Sequence, residues 1–355
     1  MPRLRPTATP LLLALALTLA ACSAPIAAPP PPPVLADQTS GTDALLIGSD
    51  AVSDDVVWLS GTGGTVLRTT DGGASWQASV IPGADTLQLR DIVGLDARTA
   101  LALSIGTGAS SRIYKTTDGG ASWRTTFVNQ DAAGFFDCMA FWDGAHGLAF
   151  SDSIEDGFLV VTTSDGGETW QRVPPSALPA PASGEGGFAS SGTCVTTRGD
   201  AAWIATGNAS PARVLRTEDR GATWTAATAP VASGEAAGLT SVVFRTDDVG
   251  VALGGDIANA DSTVDAVARS ADGGRSWTAG GRLPFPGAAY GAAYVPGTGE
   301  LVAVGPGGAA LSRDDGASWT LLDDRTFWGV VAASPDAVWM VGPDGRIVRA
   351  RFPRR

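Results

Sequence analysis

Six aspartates and six tryptophans recur in register along this chain of 355 residues, and they are the first residues to ask for chemistry. Asp71, Asp118, Asp165, Asp219, Asp272 and Asp314 each stand five positions before Trp76, Trp123, Trp170, Trp224, Trp277 and Trp319. Carboxylates that converge can ligate a cation or act as an acid and base pair, whereas carboxylates that stay apart serve their own turns. A second acidic set, Asp91, Asp137, Asp152, Glu185, Asn208 and Asp256, lies outside the repeats and offers oxygen ligands for a divalent cation or a cationic partner. Cys138 and Cys194 are candidates for a disulfide, and Asp137 with Asp152 for a hydrolytic carboxylate pair. Only one histidine, His146, is present, with three residues each of Cys, Met and Tyr, so a His-rich metal centre or a His-based triad is disfavoured. The 24 Lys and Arg against 36 Asp and Glu give a net charge of −12, which lacks the cationic footprint of a nucleic-acid binder.

The elements that carry these residues follow from the repeat itself. TTDGGASW (69–76), TTDGGASW (116–123), TSDGGETW (163–170), TEDRGATW (217–224), SADGGRSW (270–277) and SRDDGASW (312–319) all fit S/T-x-D-x-G-x-S/T-W. The aspartates are separated by 47, 47, 54, 53 and 42 residues, a period that suits a propeller blade. Each unit contains four short runs rich in apolar and β-branched residues, as in DALLIGSDAV, DVVWLSG, TVLRTT and SWQASV, with Gly, Asp, Ser or Thr in the gaps. No stretch sustains a 3.6-residue period, so the expectation is an all-β fold of four-stranded antiparallel blades.

The expected blades are 43–80, 87–128, 134–174, 188–229, 237–280, 287–322 and 326–352. The last aligns with the first unit but stops before a fourth strand. Residues 34–40 are placed to supply that outer strand and close the ring. In each repeated turn the Asp accepts bonds from its own backbone, the second Gly supports φ > 0 and the Trp packs between blades, so these aspartates are structural. They resemble the BNR or Asp-box repeat.

The first ten residues carry Arg3 and Arg5, and an apolar run of eleven follows. As a helix that run spans about 16 Å, half of a bilayer core, so it is a leader and not a membrane span. It ends in Leu-Ala-Ala-Cys at 19–22, which resembles a bacterial lipobox and implies cleavage after residue 21 with acylation of Cys22; an ordinary secretory cleavage is the alternative. Ser23 in place of an aspartate implies the outer membrane, on its periplasmic side. Residues 22–33, with five consecutive prolines from Pro29 to Pro33, form a tether, and 34–355 form the propeller.

In such a blade the turns between strands two and three share a face with the connections between blades, and the Asp-box turns lie opposite. The long connections fall in blades three to five, so a binding site is expected on that face. The acidic set would rim the channel mouth there, with Arg90, Phe136, Tyr290 and Trp328 at similar strand positions. Cys138 and Cys194 sit on neighbouring inner strands. Aligning Trp203 with Leu148 offsets them by one residue, so a bond and two buried apolar side chains both stay open. His146 belongs to a surface turn.

Beyond the repeats, LRDIVGLD (89–96), FFDCMAFWDGAHGLAFSDS (135–153), GEGGFASSGT (184–193), GVALGGD (250–256) and YVPGTGELVAVGP (294–306) resemble the photosystem II stability/assembly-factor-like propellers. That resemblance implies a seven-bladed scaffold, here a monomer, which binds a protein partner of the envelope without a cofactor. Asp-box propellers also include sialidases and other glycoside hydrolases, so a glycan-binding or glycan-cleaving protein is the competing reading. Tyr114 does not sit in a sialidase-like setting, and inner-strand arginines are scarce.

Overall fold

In the blades of this protein the middle strands are apolar without alternation. ALALS at Ala100–Ser104, LVAVG at Leu301–Gly305 and AVWMV at Ala337–Val341 are buried at every position. A sheet face exposed to water would alternate; a sheet covered on both faces need not. The outer strands differ: Gln77–Val80 is exposed throughout. Burial therefore peaks in the middle strands and falls off at the outer ones, with every blade covered by two neighbours.

The computed structural model describes residues 1–2 and 31–353. It divides into Met1–Pro31 and Pro32–Arg355, and the following concerns the second unit. Cys22 lies outside the described residues. Seven four-stranded antiparallel sheets are present among the described residues. Their innermost strands are Leu46–Ala51, Leu89–Gly94, Phe136–Phe141, Val195–Arg198, Ala237–Phe244, Gly291–Tyr294 and Gly329–Ser334. Consecutive inner strands touch, and the first touches the last, so the ring closes. The only helical segments described are two 3-10 turns, Gly108–Ser110 and Pro175–Ala177. Among the described residues no helix is long and apolar enough to cross a membrane.

Val34–Gln38 is the outer strand of blade seven, antiparallel to Ile347–Arg351, with Val34 opposite Arg351 and Gln38 opposite Ile347. Closure is also sealed by packing: Leu46, Val57, Leu59 and Leu67 of blade one form one core cluster with Trp339, Val341 and Ile347 of blade seven. The sequence boundaries hold to within a few residues except at blade four. Its inner strand starts at Val195, not near 188, because the residues before it leave the sheet and enter the channel.

Each Asp-box turn repeats one set of bonds. Asp272 Oδ1 accepts from the Ser270 hydroxyl (2.8 Å) and the Ser276 N–H (2.9 Å), Oδ2 accepts from the Ser276 hydroxyl (2.6 Å), and Ser270 Oγ accepts from the Gly274 N–H (2.8 Å). The Gly two residues after the Asp holds φ between 77° and 87° in all six turns, which is why a residue with a Cβ is disfavoured there. The turns also serve their neighbours. Arg269 donates to the Asp314 and Asp315 carbonyls (3.1 and 2.6 Å), and Arg349 to the Gly72 carbonyl (2.7 Å), each reaching the box of the next blade around the ring.

The hydrogen bonds donated by Ser276 hold the Asp272 carboxyl down at about 2. A carboxyl depressed on folding stabilises above the unfolded value near 3.8 and loses that contribution as pH falls towards 2. Asp272→Ala is expected to cost about 1–2 kcal/mol at pH 7, the scale of a small set of hydrogen bonds, and less as the pH falls towards 2. Thermal or urea denaturation at the two ends of that range checks it.

Candidate functional site

Like that of blade one between Leu46 and Ser49, the inner strands of blades two, three and five carry a register shift at the channel mouth, between Leu89 and Asp91, Phe136 and Cys138, and Leu239 and Ser241. The extra residue in each is Arg90, Asp137 and Thr240, and a bulge re-aims its side chain. Tyr290 and Trp328 sit just ahead of the inner strands of blades six and seven, donating their N–H groups to Val304 and Val341 (both 2.7 Å). Tyr290 and Trp328 meet edge to face, with centroids 5.1 Å apart.

The channel beneath is plugged. Residues 185–193 form no strand, yet most are buried. The Gly187 N–H donates to Asp152 Oδ1 of blade three (2.8 Å), and the Ala189 carbonyl accepts from Arg90 Nη1 of blade two (3.0 Å). Ser191 Oγ donates to the Tyr290 carbonyl beside blade six (2.7 Å), and Thr193 Oγ1 to Ser241 Oγ of blade five (2.8 Å). Blades two and six are three steps apart by the shorter way round, so residues 189 and 191 can reach both only by crossing the axis. Glycine is required for that passage: a Cβ on Gly186 would lie 1.9 Å from Asp152 Oδ1, and one on Gly192 2.3 Å from Asp91 Oδ1.

Both ends of the plug are fastened. At its start, Glu185 is buried; its Oε1 accepts from Arg213 Nε (2.9 Å) and the Thr206 hydroxyl (2.7 Å), and its Oε2 from the Ala182 N–H (2.8 Å) and Arg213 Nη2. At its end, Cys194 is bonded to Cys138, with Cα atoms 6.0 Å apart. The offset expected for these cysteines does not persist in the sheets. Ala140 pairs with Leu148 and Thr196 with Trp203, so each cysteine stands two residues before the aligned partner. The extra residue is absorbed in the hairpin turn.

The acidic set therefore does not form an open rim. Asp91 is buried and ties blades two and three, its Oδ1 accepting from the Ile92 N–H (2.8 Å) and its Oδ2 from the Met139 N–H (2.6 Å). Burial pushes its carboxyl well above the usual range. Glu185 is the clamp. Asn208, at φ 60°, donates from Nδ2 to the Gly187 carbonyl of the plug (3.2 Å), and Asp256 accepts from Ala258 within its own loop (3.0 Å). Asp137 and Asp152 do come together beneath the plug. Asp137 is 1% exposed and Asp152 half-buried, so the pair is largely covered. Burial raises Asp152 to about 6, and burial followed by the Asp152 charge raises Asp137 well above the usual range.

Among the described residues no three His, Cys, Asp or Glu side chains are grouped to hold a metal ion. Phe136 packs in the core against Phe127 (centroids 5.1 Å) and does not reach the surface. His146 pairs with Asp143 (2.9 Å), which also binds Arg220 (2.8 Å), in a surface network between blades three and four. Asp50 was missed by the sequence reading: half-buried on blade one, its Oδ2 accepts from the Gly94 N–H of blade two (2.7 Å), and loss of water around its carboxyl raises it to about 6. Its only signal was a carboxylate inside the apolar run LLIGSDAV.

No family model and no curated protein matches this chain. Solved structures do. A structure of YCF48 bound to a D1 peptide is similar over 91% of this chain and 96% of its own, at 17% identity and a TM-score of 0.60. YCF48 from Cyanidioschyzon merolae covers 89% and 98%, at 14% identity and 0.60, and the WD40 propeller domain of Doa1 covers 92% and 98%, at 14% and 0.58. At these identities the likeness is one of fold.

Two variants test the fastening of the plug. Arg213→Ala leaves the Glu185 carboxylate buried without its cation and is expected to cost about 3–5 kcal/mol, read by urea denaturation. Cys138→Ala/Cys194→Ala opens a crosslink across 56 residues and is expected to cost about 4 kcal/mol by chain entropy. Thiol titration of the denatured, unreduced protein should find both cysteines unreactive.

Proposed function

We propose that this protein is an exported, envelope-anchored propeller that holds a protein partner on its loop-bearing face. The observation that carries this reading is the charge of the connections over blades three to five. Glu155, Asp156, Glu235, Asp261 and Asp265 are exposed there, Asp256 is half-buried, and residues 152–157, 173–188, 206–212, 229–236 and 257–266 contain no Lys or Arg. Ile257 and Val264 stand among them at 36% and 42% exposure. Asp156 lies 3.9 Å from Arg172, and the remaining like charges on a rigid face raise the local potential and favour a cationic partner, while exposed apolar side chains give that partner something to bury.

Two further observations support the reading. The similar propeller YCF48 has been captured with a D1 peptide, which makes a peptide or protein a reasonable kind of partner for this face. The Leu-Ala-Ala-Cys phrase at 19–22 supports acylation of Cys22, with the outer membrane as its site. The outer strand of blade seven begins at Val34, at the strand end that follows the Asp box in other blades and lies opposite the loop-bearing face.

Crosslinking in its own envelope tests both parts. The wild type is expected to capture a basic partner, and Glu235→Lys/Asp261→Lys/Asp265→Lys to slow its association at least about 10-fold at low salt while leaving the fold intact. A partner retained by the triple variant overturns the choice of face. A Cys22→Ala protein that still fractionates with membranes overturns the anchor.

A further inference from the structure

One buried group under the plug has no partner to explain it. Asp137 sits at 1% exposure on the bulge of blade three, and neither carboxyl oxygen makes a hydrogen bond. Gly187 lies so close that a Cβ there would stand 2.8 Å from Asp137 Oδ2. Asp152, whose Oδ1 receives the Gly187 N–H, supplies the charge that bears on it. The other charged groups in the surroundings are already engaged. Asp91 is held by two N–H groups, Asp50 by the Gly94 N–H, Glu185 by Arg213, and Arg90 by Gln88 and the plug carbonyl of Ala189. Among the described residues no cation forms an ion pair with Asp137, and the ion pair at the plug is the Glu185–Arg213 clamp.

We propose that residues 186–188 are a proton-locked gate: a proton on Asp137 keeps them over the channel, and its loss drives them out. An ionised Asp137 would lie next to the Asp152 carboxylate beneath two glycines and Phe188, with no donor to replace water. Relief requires water, and admitting water requires moving the glycines. The segment is built to move within limits. Its ends are fixed at Glu185 and at the Cys138–Cys194 bond, while its middle is held by the paired bonds between Gly186 and Gly207 (3.1 and 2.8 Å) and by two side chains, Asp152 and Asn208, on the Gly187 N–H and carbonyl.

The raised carboxyl of Asp137 gives the direction. A folded-state value above the open-state value means that closure is fully supported below about pH 4 and loses support as pH rises through the value of the closed state. Opening would uncover the acidic pair and withdraw the Ala189 carbonyl from Arg90, so the loop-bearing face would sense the alkalinity of an external compartment. This inference stands independently of any partner.

Hydrogen exchange on the full chain, corrected for intrinsic rates, tests it between pH 5 and pH 9. Protection across 184–193 is expected to fall at least 10-fold over that range, while the Asp-box turns stay unchanged. Asp137→Asn is isosteric, cannot ionise and should remove the pH dependence; Asp152→Asn still accepts from Gly187 and should lessen the fall. A pH-independent plug in the wild type, or an unchanged fall in Asp137→Asn, overturns the gate.

Discussion

Every blade of this protein has two apolar faces, and that single constraint shapes the rest. A lone four-stranded sheet of this composition would expose LVAVG or AVWMV to water, and two stacked sheets would still leave two faces wet. Only a closed ring covers all of them. Closure must then be fastened where the chain begins and ends, because a ring is only as secure as its last joint. The outer strand of blade seven comes from residues 34–38, and the cluster around Trp339 and Leu59 bridges blades seven and one. Two of the Asp-box turns add cross-ties around the circle, presenting backbone carbonyls to Arg269 and Arg349 from the blade before, and a third presents the Gly273 carbonyl to Trp203 (2.8 Å). The carboxylates that first suggested chemistry are thus spent on geometry.

The fold was legible because its determinants are local. The bonds of an Asp-box turn span four residues at most, and its Gly and Trp stand at fixed offsets, so six copies in the sequence identify six turns in space. The plug was not legible. GEGGFASSGT has no periodicity, and its decisive contacts join residues 99 apart in both directions, Arg90 with Ala189 and Ser191 with Tyr290. Sequence analysis placed Asp91, Asp137 and Glu185 at strand ends and loops, from which an exposed rim follows. Bulges and the crossing segment instead put them inside. The bond between Cys138 and Cys194 was undecided for a related reason: counting residues cannot tell whether an extra one lies in a strand, where it reverses a side chain, or in a turn, where it does not.

Burying carboxylates beside a channel has a consequence for stability. Asp91 and Asp50 recover part of the desolvation cost by binding the N–H groups of Met139 and Gly94, which belong to the next blade, so each joins two blades. Asp137 recovers none of it. A residue in that position weakens the closed state at neutral pH unless it carries a proton, and an asparagine would fill the same space without the cost of burying a charge. Its presence makes sense where the closed state is meant to be conditional.

Rigidity and variability coincide in this ring. Blades three to five carry the longest connections, and the strongest fastenings gather around them: the Glu185–Arg213 clamp, the inter-strand disulfide, and the stacking of Trp203 on Phe244, 3.8 Å between centroids. Blades one, six and seven have short turns on the same face, and ion pairs such as Arg313–Glu300 and Arg325–Asp323 lie in or beside blade six. Loops can present a binding surface only if the strands beneath them do not yield when a partner pulls. The plug extends that logic to the centre, since it ties blades two, three, five and six to a single segment that leaves blade four, and a displacement of that segment would be felt across the whole face.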